Sequence, residues 1–168
     1  PVDAVPHVTK IMITALEAAS PAGDYRPLLL GMTNMAALLM SKGIAYDSDI
    51  GRTTAALISA LVSGAAYQAS AEMAAQSGAF PAYPAQAKKY QQHIKDKMAA
   101  LAGTGFPQKG ITRRPLQIRT ALCPDTALVD AVNQSWENAC RLGKETGFRH
   151  AHLTGGAEIM PEAALVRF

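Results

Sequence analysis

The chain has 168 residues, a formal net charge of +3, and 49% hydrophobic but only 6% aromatic residues. Its length predicts one domain, residues 1–168, with a hydrophobic core of its own. Charged residues make up only 17% of the sequence, so a dense basic surface for phosphates is missing and nucleic-acid binding is not expected. Ala, Leu and Met carry most of the apolar share, and they favour helices over strands.

Apolar stretches and cysteines indicate the compartment. Charges or turn residues interrupt each apolar run before the roughly 20 residues that a membrane span needs, and no basic-then-apolar leader opens the sequence. Cys123 and Cys140 lack C-x-x-C spacing and are interpreted as reduced thiols, closer to small buried hydrophobes than to nucleophiles. We therefore expect a soluble, cytoplasmic protein without membrane contacts.

The first helices are predicted from the spacing of apolar residues. Residues 8–19 place apolar side chains at i, i+3 and i+4, as one face of a helix does. A second, short helix follows, with Thr33 or Asn34 as its cap and Gly43 as the residue that ends it.

The longest predicted helix begins after a cap at Asp47 or Ser48 and continues to Ser77 without a proline. About 30 residues span roughly 45 Å, which is too long for one small core to cover, so this helix is predicted to be the spine of the fold. Gly64 and many alanines keep its middle thin, which suits the close approach of another helix.

The second half of the chain is predicted to add two more helices. Two prolines favour a rigid connector over residues 80–84, and an amphipathic helix follows over residues 85–101. The last helix is predicted from Cys123, with Pro124 in its first turn, to a cap at Gly147. Its Trp136 lies on the apolar face and is predicted to be a core residue.

The predicted fold class is therefore mainly α. We expect a helical bundle around one long central helix, residues 48–77, with at most one short strand near residues 148–153, where polar and apolar residues alternate.

Two sets of residues are weighed as ligand sites. His150 and His152 form an H-x-H pair that would share one face of a strand, but a third ligand is missing nearby, so no metal site is expected. The basic cluster near Arg119 is interpreted either as a solvated loop or as an anion site completed by the N–H groups of a glycine turn. The candidate anion site consists of Lys109, Arg113, Arg114, Thr154, Gly155 and Gly156.

The stretch YRPLLLGMTNMAALLMSKGIAYDSDIGR, residues 25–52, resembles the large subunit of adenosylcobalamin-dependent, or class II, ribonucleotide reductases. The resemblance continues through residues 55–83 and 123–152 and ends in PEAALVRF, so it covers nearly the whole chain. Matching positions that we interpret as structural are Tyr25, Arg26, Gly31, Asn34, Tyr46, Asp47 and Ser48.

The same resemblance marks what is missing. The family has an Asn-Leu-Cys-x-Glu stretch with its radical-bearing cysteine, and no equivalent occurs here. The family's Pro-Thr-Gly-Thr-Ile type loop, which holds substrate phosphate, is reduced to Thr154, Gly155 and Gly156, and Leu29 replaces a family glycine. The resemblance therefore implies no catalytic residue and no cofactor for this chain, although the family uses adenosylcobalamin.

Three functions stay open from the sequence. The leading hypothesis is a non-catalytic, ribonucleotide-reductase-like domain whose apolar face forms a homo-oligomer or docks to a class II reductase. The second is a small protein that binds a nucleotide or phosphometabolite at the candidate anion site. The third is one part of a split reductase whose catalytic cysteine lies on another polypeptide.

Overall fold

The computed structural model describes residues 2–19, 23–102 and 118–155. Within these ranges the elements are α1 (Ala4–Ala19), α2 (Met35–Ser41), α3 (Asp49–Ser77), α4 (Tyr83–Leu101), a short 3-10 helix (Thr120–Leu122) and α5 (Thr126–Thr146). α3 packs mainly against α5 and α1, and α4 packs against α5. The predicted mainly α bundle around a long central helix is confirmed. No helix in the described ranges is long and apolar enough to span a membrane.

Capping residues determine where α3 begins and ends. The backbone of Ser48 is extended, and its Oγ accepts a hydrogen bond from the backbone N–H of Gly51 at 2.9 Å. Gly78, with a φ of 79°, ends the helix. Both predicted ends are confirmed. Asn34 precedes α2 as predicted, but its backbone is left-handed and its side chain makes no capping hydrogen bond.

The contact between α3 and α5 depends on Gly64. A Cβ atom at this position would lie 2.9 Å from Cδ1 of Trp136 and 3.1 Å from Cβ of Ser135. The Trp136 side chain is buried, and its Nε1 donates a hydrogen bond to the carbonyl oxygen of Ala60 at 2.9 Å. Because the indole N–H has a partner, the ring is buried without leaving an unpaired donor. The predictions of a thin central helix and of a core tryptophan are confirmed.

Aromatic side chains pack α4 against the rest of the bundle. The ring of Phe80 lies 5.3 Å from that of Tyr83 and 5.6 Å from that of Tyr90, measured between centroids. The ring of Phe148 lies 5.2 Å from that of Tyr90. Tilted and edge-to-face pairs at such distances add to the stabilisation from area burial. The residues before α4 and after α5 therefore form one core.

Two predicted boundaries are wrong. Residues 80–84 are not all connector, because α4 begins at Tyr83 and takes Pro84 into its first turn, where the missing N–H has no helical partner to lose. α5 begins at Thr126 instead of Cys123, because Asp125 is its cap and accepts a hydrogen bond from the N–H of Leu128 at 3.2 Å.

Two non-helical segments, residues 25–30 and 148–155, lie side by side and are called the parallel pair. The N–H of Leu28 donates to the carbonyl oxygen of His152 at 2.8 Å, and that of Leu30 donates to Leu153 at 2.9 Å. The only assigned bridge in the described ranges is the parallel one between Leu30 and Thr154. The candidate strand near residues 148–153 does not form a regular strand in the described ranges: the segment bends at Arg149 and Ala151 and is held to residues 25–30 by isolated backbone hydrogen bonds.

Replacing Gly64 with Ala is expected to destabilise the fold by about 2 kcal/mol, because the new methyl group would overlap the Trp136 ring and Ser135. Gly23→Ala is the matched control, since nothing lies within 4 Å of a Cβ atom there. Urea unfolding followed by tryptophan fluorescence measures both variants. Equal stability of the two variants would contradict the close approach of α3 and α5.

Candidate functional site

The H-x-H pair is divided between the interior and the surface. The side chain of His150 is completely buried, whereas His152 is exposed. No group of three His, Cys, Asp or Glu side chains in the described ranges could hold a metal ion. The two imidazoles therefore have different environments, and the buried one makes the contacts described next.

The carboxylate of Glu17, in the last turn of α1, is in hydrogen-bond contact with three side chains. Arg26 Nη2 donates to Oε1 of Glu17 at 2.6 Å, and Arg149 Nε donates to the same oxygen at 3.0 Å. His150 Nε2 lies 2.9 Å from Oε2. The side chains of Glu17, Arg26 and Arg149 are all less than one fifth exposed, so these charge-assisted hydrogen bonds are poorly screened by water. We call these residues, together with Ser70, the Glu17 cluster.

Ser70 on α3 completes the Glu17 cluster. Its Oγ lies 3.0 Å from Nδ1 of His150 and accepts a hydrogen bond from the backbone N–H of His150 at 3.1 Å. Since Nε2 of the imidazole donates to Glu17, we assign Nδ1 as the acceptor of the serine hydroxyl. Serine, histidine and glutamate are the residue types of a nucleophilic triad. Ser70 is completely buried, however, so a substrate cannot reach its hydroxyl. The hydrogen-bond network therefore has a structural role, in which it connects α1, α3 and the parallel pair.

The protonation states agree with this arrangement. Burial alone would raise the pKa of Glu17, but the hydrogen bonds from Arg26, His150 and Arg149 outweigh it and lower the pKa from 4.5 to about 2. Burial lowers the pKa of His150, and the neighbouring Glu17 carboxylate only partly offsets this. At neutral pH the cluster therefore holds an ionised carboxylate, two guanidinium groups and a neutral imidazole.

Glu17 and Ser70 were not predicted as site residues from the sequence. A carboxylate in the last turn of a helix faces the negative end of the helix dipole, which is unfavourable without a cation nearby. That position was the available signal. In the folded chain the backbone of Arg26 has a φ of 42°, which is rare outside glycine, and its side chain forms the ion pair with Glu17.

The candidate anion site is described only in part. Lys109, Arg113, Arg114 and Gly156 lie outside the described residues. Thr154 Oγ1 lies 3.2 Å from Oγ of Ser63, and the N–H of Gly155 points to the carbonyl oxygen of Leu30 at 3.4 Å. Arg119 forms an exposed ion pair with Asp49. The candidate anion site stays a prediction.

Most residues matched in the resemblance lie at turns. The carbonyl oxygen of Tyr25 accepts a hydrogen bond from the backbone N–H of Ala151 at 2.9 Å. The carbonyl oxygen of Asp47 accepts one from the guanidinium Nη1 of Arg52. Tyr46 is largely exposed. Arg26, Asn34 and Ser48 have the roles given above, and Gly31 lies in the groove that follows.

An apolar groove of about 420 Å³ lies between α1, α3 and the chain that follows the parallel pair. Its outer side chains are unusually exposed for their type: Val8 is 53% exposed, Met12 45% and Met32 41%. Leu29, next to the groove in the chain, is 57% exposed. Grouped exposed apolar side chains mark an interaction surface more often than single ones do. The groove is lined by Ala4, Val5, Val8, Thr9, Met12, Leu30, Gly31, Met32 and Val62.

The Glu17 cluster predicts a specific acid dependence of stability. The folded pKa of Glu17 is depressed, so its contribution is complete above the unfolded value of 4.5 and is lost as the pH falls towards about 2. Glu17→Gln should therefore cost about 3 kcal/mol at neutral pH, and the difference from the unchanged protein should shrink on acidification.

Urea unfolding at steps from about pH 7 to pH 3 measures this difference. Glu145→Gln is the matched control, since Glu145 is exposed on α5. A difference between Glu17→Gln and the unchanged protein that stays constant over the acid range would contradict the depressed pKa.

Comparison with known proteins gives a consistent result. Residues 2–165 match the family model of the ribonucleotide reductase barrel domain. The chain is 36% identical over 166 residues to a vitamin B12-dependent ribonucleotide reductase of Agrobacterium fabrum, covering 90% of this chain and 13% of the relative.

Two further relatives carry the same name. That of Bradyrhizobium diazoefficiens is 33% identical, with 86% of this chain and 13% of the relative covered. That of Streptomyces avermitilis is 31% identical, with 88% and 15% covered. The chain thus spans about one seventh of the length of these relatives. The chain belongs to the ribonucleotide reductase family, as a part of its barrel domain.

Proposed function

We propose that this chain supplies a helical section of the barrel of a vitamin B12-dependent ribonucleotide reductase and functions by packing, without catalysing a reaction alone. The apolar groove carries this proposal. The exposed side chains of the groove come from α1 and from the chain that follows residues 25–30. The groove therefore lies beside the non-helical parallel pair and not on an isolated helix.

The parallel pair supports a neighbour at this place. The two segments share only one parallel bridge, and parallel pairing is almost always found in larger sheets that are covered on both faces. Leu29 is 57% exposed in the middle of the first segment. Further barrel strands and their side chains would cover both Leu29 and the groove.

The environments of the two cysteines support a non-catalytic role. Cys123 is buried, and its Sγ lies 3.3 Å from the carbonyl oxygen of Asp125. Burial raises the pKa of the Cys140 thiol, with Lys95 only partly opposing it. A raised pKa disfavours the reactive thiolate. With no Asn-Leu-Cys-x-Glu stretch in the sequence, ribonucleotide reduction is assigned to the remainder of such an enzyme. We place the protein in the cytoplasm, where thiols stay reduced.

Adenosylcobalamin, the cofactor of the family that the chain resembles, is also assigned to that remainder. The apolar groove holds about 420 Å³, which is small for a corrin ring with its nucleotide tail. The apolar groove therefore does not fit this group. Nucleotide binding through Lys109 and the nearby arginines stays a prediction.

A split reductase is the second candidate. The observation that favours it is the match of residues 2–165 to the barrel-domain family model without an Asn-Leu-Cys-x-Glu stretch in the same residues. In that case the chain packs in the same way, and the assembled complex reduces ribonucleotides.

We predict that the chain binds a vitamin B12-dependent reductase from which the matching segment has been deleted. Light scattering of each component and of the mixture measures the complex. Met32→Glu should weaken binding at least tenfold, because it would bury a charge in the apolar groove. Gln76→Glu introduces the same charge at an exposed position of α3 outside the groove and should bind normally.

The outcomes separate the candidates. A complex without ribonucleotide reduction supports the packing role, and a complex that regains reduction supports the split enzyme. A chain that stays monomeric and ignores the deleted reductase contradicts both. A homodimer that excludes the reductase would assign the groove to a second copy of the chain.

A further inference from the structure

A second cleft, of about 440 Å³, lies between α4 and α5 on different residues from the apolar groove. We propose that this cleft binds a small aromatic anion, meaning an aromatic ring system that bears a carboxylate, sulfonate or phosphate group. The inference goes beyond the proposed packing role and does not depend on it. The cleft is lined by Gln91, Ile94, Lys95, Met98, Glu137, Cys140, Arg141, Gly143, Lys144 and Phe148.

The floor of the cleft is apolar and preformed. Ile94 and Phe148 are buried, so both are held by the core. The Phe148 ring packs directly on α5, where a Cβ atom at Gly143 would lie only 2.1 Å from its Cζ. A site of a few hundred Å³ with a rigid apolar base is the usual setting for small-molecule binding.

Sulfur atoms make the floor suitable for an aromatic ring. The Sγ of Cys140 lies 2.9 Å from the Sδ of Met98, so both sulfurs meet at the same point of the cleft. Thioethers and thiols are polarisable and make favourable contacts with ring edges and faces. The Phe148 ring offers a further aromatic contact. An aromatic body therefore fits this floor better than a polar sugar does.

Cationic side chains at the rim of the cleft complement the negative charge of the proposed ligand. Three cations are exposed at the cleft: Lys95, Arg141 and Lys144. Among the lining residues Glu137 is the one carboxylate, so the net charge of the lining is +2. None of the three cations forms an ion pair with another residue in the described ranges. An anionic substituent above the apolar floor would therefore find free donors. The same cations can lie over the face of a bound ring.

Naphthoate is the probe that tests this assignment, with neutral naphthamide as the matched ligand. The whole chain is labelled at its methionine methyl groups and titrated while NMR spectra are recorded. We expect saturable movement of the Met98 signal, with no comparable movement of Met12 or Met32, which line the apolar groove. Met98→Leu assigns the signal.

Charge removal at the rim gives the second measurement. Lys95→Gln combined with Arg141→Gln should weaken naphthoate binding about tenfold or more, because charge-assisted hydrogen bonds are lost. Both side chains are exposed, so folding is expected to survive and circular dichroism checks it. Lys89→Gln removes one charge from α4 outside the cleft and should bind as the unchanged protein does.

Three results of the titration would overturn the assignment. They are a Met98 signal that does not move at low millimolar naphthoate, movement confined to Met12 and Met32, and equal binding of naphthoate and naphthamide. Unchanged affinity of the rim variant would overturn it as well.

Discussion

The Glu17 carboxylate joins the first helix and the segment that follows it to residues more than 130 positions further along the chain. It accepts hydrogen bonds from Arg26 at the start of the parallel pair and from Arg149 and His150 in the second segment. Ser70 then ties His150 to the central helix. Removing the carboxylate would leave two guanidinium groups partly buried without their partner, which is far more costly than losing a surface ion pair.

Around this connection, close packing determines which surfaces are left for binding. The absence of a side chain at Gly64 lets α5 lie against α3 with Trp136 between them. The aromatic rings of Phe80, Tyr90 and Phe148 bring α4 to the same core. Among the openings left in the described residues are an apolar groove beside α1 and a cation-rimmed cleft between α4 and α5. The two surfaces differ in charge, so we assign them to different partners.

Local signals predicted most of the helical architecture. Ser48 and Gly78 define α3, and Gly64 and Trp136 indicate where another helix approaches, because capping and side-chain size act within one element. The sequence could not predict the Glu17 cluster, since Glu17 and His150 are 133 positions apart and only the folded chain brings them together. The isolated H-x-H pair suggested a shared face, whereas pairing with residues 25–30 buries one imidazole and exposes the other.

Packing of the apolar groove against the rest of a reductase barrel is the central claim, and hydrogen exchange tests it most directly. Amide exchange is followed by mass spectrometry on the chain alone and mixed with the reductase that lacks the matching segment. The account predicts slower exchange in peptides that contain residues 28–32, where Leu29 and Met32 are exposed in the free chain, and unchanged exchange in α4. Unchanged exchange of residues 28–32 in a mixture that forms a complex would contradict it.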